Sequence, residues 1–185
     1  MDCVTQCPDT AILGKVIEPD VLEQNLSKIT DSESRQSIAN QWSVTNKYFK
    51  VPEKKGIGGG KFGIFIDPTK CKGCAECVDA CGDHAALKMK AKDEDNMKWY
   101  AQAFEFYKKL PETPDKYINE KILADMMLAE RSLLYVGGAG SCMGCGEATA
   151  LRMMLAATGF VHGKEKVGIV AATGCNTVYT STYPY

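Results

Sequence analysis

Several things are scarce in this sequence, and each absence narrows its reading. No run of apolar residues approaches the roughly 18 needed to cross a membrane as a helix. Neither sign of charge is in excess, since 22 Lys and Arg stand against 23 Asp and Glu. A nucleic-acid binder needs a basic face, and that balance argues against one. Asp2 and Cys3 stand where a secretory signal would put its basic and apolar stretches, so a soluble, cytoplasmic protein is expected. There are only two histidines, His84 and His162, and neither has in sequence the partners of a metal ligand or proton carrier. The glycines of residues 56–61 (GIGGGK) have the wrong spacing for a phosphate loop. Phe62 also stands where that loop needs Ser or Thr, so a plain loop is expected.

What is abundant is cysteine. The chain has nine in 185 residues, an odd number that fits no closed disulfide framework. In a reducing compartment, clustered thiols bind metal or do redox chemistry more often than they form disulfides. With 45% hydrophobic residues the chain can bury a core.

Periodicity supplies a coarse outline. An apolar element is expected around Ala11, Ile12 and Leu13, and helix over 19–41, starting near Asp20. Residues 42–62 read as an irregular surface insertion or linker. Phe62–Ile66 reads as a short strand. Residues 93–109 and 115–135 are helical by pattern, with Ile118, Ile122, Leu123, Met126 and Met127 recurring at helical steps. The methionines are expected to pack in the core. Gly137–Gly140 mark a break, a helix is expected near 147–158, and the apolar run 167–172 (VGIVAA) reads as a buried parallel strand. That run leads into Thr173-Gly174-Cys175, at the carboxyl end of a strand, where α/β folds place ligands.

The cysteines fall into three groups. Residues 71–81 (CKGCAECVDAC) have the spacing C-x2-C-x2-C-x3-C of a bacterial [4Fe–4S] ferredoxin half. Cys71, Cys74 and Cys77 can each reach a different iron of one cube, and Gly73 and Ala75 keep the turn small. Cys81, expected on the following helix, points toward a second cube. Zinc is the alternative, but two C-x2-C steps in succession crowd a tetrahedral ion. Residues 1–8 (MDCVTQCP) carry the end of the same motif, Cys3-x3-Cys7-Pro8. Because the fourth cysteine of each motif serves the other cluster, Cys7 joins Cys71, Cys74 and Cys77, while Cys81 joins Cys3. The third group is the pair Cys142 and Cys145 with Cys175, three of four ligands for another centre. By itself a C-x2-C pair also suits a thioredoxin-like redox site or half a zinc site. Three cubes need about twelve thiolates. The shortfall predicts a piece of a longer polypeptide, with two ligands before Met1 and one after Tyr185. Its rival is a short protein with one cube and two vacant sites.

Three stretches, CKGCAECVDACGDHAAL (71–87), GAGSCMGCGEA (138–148) and AATGCNTVY (171–179), resemble the pyruvate:ferredoxin oxidoreductase family, which acts on 2-oxo acids with thiamine diphosphate. The interval from Cys7 to Cys71 is longer than that family's pattern. The resemblance implies an α+β chain in three parts. Residues 1–92 would be a ferredoxin-like domain with an insertion at about 18–62. Residues 93–135 would be a helical connector, and 136–185 the first α/β unit of a thiamine-diphosphate-binding domain. Cys142, Cys145 and Cys175 would hold a cluster beside that cofactor, and Glu147 and Cys175 would lie near it. Without the family motif, Glu147 reads as an ordinary helix-start carboxylate. Met143 is expected to pack against the cluster.

The implied reaction is oxidative decarboxylation of a 2-oxo acid, pyruvate being the expected one, to acyl-CoA and CO2. Electrons would leave through [4Fe–4S] clusters to ferredoxin or flavodoxin. Thiamine diphosphate with magnesium, coenzyme A and the oxo acid would bind largely through other parts of a full-length homodimer, so the chain alone is not expected to be active. No catalytic residue is assigned within it. Lys88, Lys90 and Lys92 could dock an acidic carrier, although a solvated surface explains them equally. A freestanding ferredoxin-type carrier is the alternative function, but it has no use for Cys142, Cys145, Glu147 and Cys175.

Overall fold

The structure is a computed structural model and describes residues 1–135, 141–172 and 174–180. A single turn, α1 (Asp2–Thr5), precedes β1 (Ile12–Ile17). α2 (Pro19–Leu26) starts on a proline, whose missing N–H costs nothing in a first turn. α3 (Ser32–Ala39) is capped by Asp31, which accepts from the Ser34 amide at 2.7 Å. β2 (Trp42–Ser43), a π-helical turn at Asn46–Lys50, α4 (Val51–Lys54) and β3 (Lys61–Ile66) follow. Then come α5 (Glu76–Asp79), α6 (Glu94–Lys109), α7 (Leu123–Met126), α8 (Gly146–His162) and α9 (Cys175–Thr180).

The strands form one antiparallel sheet in the order β1-β3-β2. Alternation along the strands gives the sheet two covered faces. Leu13, Ile17 and Phe65 pack with Leu22, Leu26, Ile38, Ala103 and Phe106, beneath α2, α3 and α6. Ile12, Ile64 and Ile66 face the other way, toward Cys3, Val4, Cys7, Cys71 and Cys77. Every residue of β1 is buried, including Lys15. Its Nζ donates to the carbonyls of Leu110 and Pro111 at 3.2 and 3.0 Å, so it caps the carboxyl end of α6. Burial holds the Lys15 amine below its usual range, and Glu130 and Glu112 partly offset this.

The α+β class and the helices over 94–109 and 146–162 agree with the sequence reading. Four expectations need correction. Residues 42–62 are not a loose insertion, because Trp42 and Tyr48 are buried and residues 61–62 already belong to β3. Residues 115–135 form α7 and two 3-10 turns rather than a helix, since their apolar residues fill gaps on the sheet separately. Tyr117 and Leu128 pack with Val16 and Tyr48, while Met127 packs with Cys3 and Ile12. Residues 167–172 form no strand, because no neighbouring strand pairs with them among the described residues; Val170 is 99% exposed. Cys81 lies past the end of α5, in the turn before Gly82–His84, because α5 closes after one turn. The expected break at 137–140 and Thr173 lie outside the described residues.

One buried carboxylate joins 42–62 to the segment around α7. Asp125 is fully buried, 2.5 Å from the Lys47 ammonium, and accepts from the Tyr48 hydroxyl at 2.7 Å and the Asn119 amide at 3.2 Å. Asp125→Ala strands those donors, and a loss of about 3 kcal/mol is expected. Asp125→Asn keeps an acceptor in place and should lose about 1 kcal/mol. Urea unfolding of both variants measures the difference.

Candidate metal centre

The pairing of β1 with β3 decides where the cysteines meet. Ile12 faces Ile66 across the ladder, and the Asp67 amide donates to the Ala11 carbonyl at 2.7 Å. The segments before β1 and after β3 therefore leave the sheet side by side, one carrying Cys7 and the other Cys71. Beyond Cys71 the chain curls through two residues of left-handed backbone, Gly73 (φ 77°) and Ala75 (φ 68°). Glycine adopts this freely, whereas alanine pays about 1–2 kcal/mol. α5 then starts and carries Cys77.

Cys7, Cys71, Cys74 and Cys77 line one cavity, against an apolar wall of Ala11, Ile12, Ile66 and Met89. Burial pushes the Cys77 thiol up to about 11, and its neighbours Cys7, Cys71, Cys74 and Cys3 push it the same way. The Cys3 thiol is also raised, chiefly by burial, with Cys81 adding to it against the pull of the chain's amino terminus. Cys3 and Cys81 do not line this cavity. Backbone amides point at sulfur in both motifs: Ala11 N donates to Cys7 Sγ at 3.3 Å, and Ala86 N to Cys81 Sγ at 3.2 Å. Among the described residues, no three His, Cys, Asp or Glu side chains converge closely enough to hold a single metal ion.

The third group is more open. Cys145 caps α8, its Sγ accepting from the Ala148 amide at 3.5 Å, while Cys142 and Cys175 are exposed. Glu147 is exposed in the first turn of α8 and lines a groove with Ile169, Val170 and Asn176, the residue after Cys175. Met143 is 65% exposed.

Polar contacts fasten this group to the first. Asp9 is buried, with its Oδ1 3.0 Å from Lys72 Nζ and accepting from Ser141 Oγ at 2.7 Å. Lys72 also donates to the carbonyl and hydroxyl of Ser141. Gly144 has φ 67°, and a Cβ there would stand 2.7 Å from Glu76 Oε1. Burial pushes the Tyr135 hydroxyl up to about 12, with Asp9 and Cys145 adding to it. From α8, Thr149 Oγ1 donates to the Gln6 carbonyl at 3.4 Å. Arg152 is 3% exposed, and its Nη1 donates to the carbonyls of Val4, Thr5 (3.5 Å) and Cys7 (3.0 Å).

Asp9, Lys72 and Arg152 were not singled out from the sequence. The contacts of Asp9 and Lys72 span the chain and leave no local pattern. Arg152 does leave one: it occupies a position in the buried stripe Ala148, Arg152, Leu155, Ala156, Gly159 of α8. His84 and His162 are exposed, as are Lys88 and Lys90. Lys92 is no free docking residue, because its Nζ donates to the carbonyls of Pro68 (2.9 Å) and Cys71.

No protein-family model matches the chain. Among curated proteins it is 25% identical, over 98% of its length, to a pyruvate-flavodoxin oxidoreductase of Nostoc sp., and 24% identical over 98% to a probable pyruvate-flavodoxin oxidoreductase of Escherichia coli. It spans 14% of the length of each. Over 70% of the chain, spanning 10% of the relative, it is 28% identical to a pyruvate:ferredoxin oxidoreductase of Moorella thermoacetica. No helix among the described residues is long and apolar enough to cross a membrane.

The clip between the two groups has a measurable strength. Lys72→Met leaves the buried Asp9 carboxylate with Ser141 alone, and a loss of about 3 kcal/mol is expected. Amide hydrogen exchange should accelerate over 141–148 and stay unchanged in α6. Equal acceleration in both would show that the clip is not local.

Proposed function

We propose, from the premise that this chain is a relative of the pyruvate:ferredoxin (flavodoxin) oxidoreductases, that it is the electron-transfer portion of such an enzyme. The full reaction would be oxidative decarboxylation of a 2-oxo acid, pyruvate, to acyl-CoA and CO2, with electrons leaving to ferredoxin or flavodoxin. The observation that carries this reading is the gathering of Cys7, Cys71, Cys74 and Cys77 on one cavity.

The donor set suits a [4Fe–4S] cube. Its thiolates stand on separate irons and so need wider spacing than ligands of one ion. Cys7 and the C-x2-C-x2-C thiols Cys71, Cys74 and Cys77 line one cavity and fit that requirement. In this reading Cys7, Cys71, Cys74 and Cys77 hold one cube. Cys3 and Cys81 contribute to a second, and Cys142, Cys145 and Cys175 to a third beside thiamine diphosphate, near Glu147. When bound, the clusters carry single electrons and thiamine diphosphate with magnesium supplies the electron sink for decarboxylation.

The chain's own residues shape those sites. The amides of Ala11, Ala86 and Ala148 donate to sulfur, which eases the burden of negative charge and raises potential. Ile12, Ile66 and Met89 keep water from one side of the first site. The domains are proposed as 1–92, 93–135 and 136–185. The exposed Ile169, Val170 and Val178 fit a C-terminal unit that packs on further sheet in a longer protein. A freestanding carrier accounts for neither the groove at Glu147 nor the relatives' coverage of both ends.

Anaerobic reconstitution of the chain tests the reading. About four iron and four sulfide are expected in the complete site, with a low-temperature paramagnetic signal after dithionite. Cys7→Ser and Cys74→Ser should abolish that signal, and Cys81→Ser should leave it. A colourless, zinc-loaded protein, or equal loss in all three variants, would refute the ligand assignment.

A further inference from the structure

α8 carries a second group directed at the first cysteine site. Arg152 lies seven residues beyond the N-cap Cys145 and reaches back to the turn that bears Cys7. α1 is one turn long, so its last carbonyls lack intrahelical partners. Arg152 Nη1 satisfies those of Val4 and Thr5, and then that of Cys7. Its Nη2 is buried with no hydrogen-bond partner among the described residues. No carboxylate forms an ion pair with the guanidinium among the described residues. A guanidinium keeps its charge in proteins, so a bare positive charge is buried against Cys7.

An isolated buried charge is costly unless something compensates it. Backbone carbonyls do so in part, and Nη2 keeps a donor that no acceptor among the described residues takes up. The group that four thiolates would hold at Cys7, Cys71, Cys74 and Cys77 is such an anion, and one-electron reduction makes it more negative still. We infer that Arg152 is a positioning residue whose fixed positive charge favours the reduced form of the cluster at Cys7, Cys71, Cys74 and Cys77. The same helix thereby carries a ligand of one proposed cluster, Cys145, and the charge that sets the potential of another. This rests on the cluster reading given above.

The test is a paramagnetic-resonance redox titration of the anaerobically reconstituted chain, with iron and sulfide counted in every sample. Arg152→Gln keeps hydrogen-bond donors but removes the charge, Arg152→Met removes both, and Arg152→Lys keeps the charge. The two neutral variants should be about tenfold harder to reduce, a midpoint about 59 mV more negative for one electron. The lysine variant should stay within about threefold of the parent on the same scale. An unchanged midpoint in a fully loaded neutral variant overturns the inference. So does loss of iron from both neutral variants with retention in Arg152→Lys, which would mark a role in assembly alone. Absence of iron from the parent chain would instead defeat the cluster reading itself.

Discussion

The register of β1 against β3 is the constraint from which the site follows. Ile12 pairs with Ile66; Cys7 lies five positions before the one and Cys71 five after the other. Two cysteine groups separated by more than sixty residues of sequence thus emerge from the same end of one ladder. A slip of β1 by one residue would turn Leu13 toward the cysteines and Ile12 toward α6 while β3 kept its faces, mixing the contents of both cores. Because both faces of β1 are buried, such a slip is strongly disfavoured. The hydrophobic pattern of the strands therefore fixes the geometry of the thiols.

The intervening residues serve that register. α2, α3 and β2 close one face of the sheet with Leu22, Leu26, Ile38 and Trp42. The π-helical turn places Tyr48 under Val16, and Asp125 holds it there. Residues 18–62 add a hydrophobic layer to a sheet that would otherwise be half covered. Small domains have little core of their own. Here both faces of the sheet are packed.

The sequence was most legible where chemistry is local. The C-x2-C-x2-C-x3-C spacing, the tight turn at Gly73 and Ala75, and the long helices each depend on neighbours within a few residues. Legibility failed where tertiary partners decide. Met126 and Met127 recur at helical steps, but the chain from 115 to 135 is bent to fill separate gaps, and propensity gives way to packing. VGIVAA has the composition of a buried strand, but a strand needs a partner, and none lies beside it among the described residues. The Asp9–Lys72–Ser141 clip joins positions more than a hundred residues apart, which periodicity cannot register.

That clip and Arg152 raise a question of economy in the core. Replacing buried charges by apolar groups of similar size is often neutral or stabilising, so stability alone does not explain a buried Arg152 and a half-buried Lys72 next to the cysteine segments. Their placement is not symmetric. Lys72 is neutralised by Asp9, whereas among the described residues Arg152 meets only carbonyls and retains an idle donor. Among the described residues those carbonyls compensate Arg152 only in part. Four thiolates around a cube would supply the missing negative charge at the same place. On that view the cation is an element of the metal site held in position by the fold, and the β1–β3 register that gathers the thiols also fixes where their countercharge must stand.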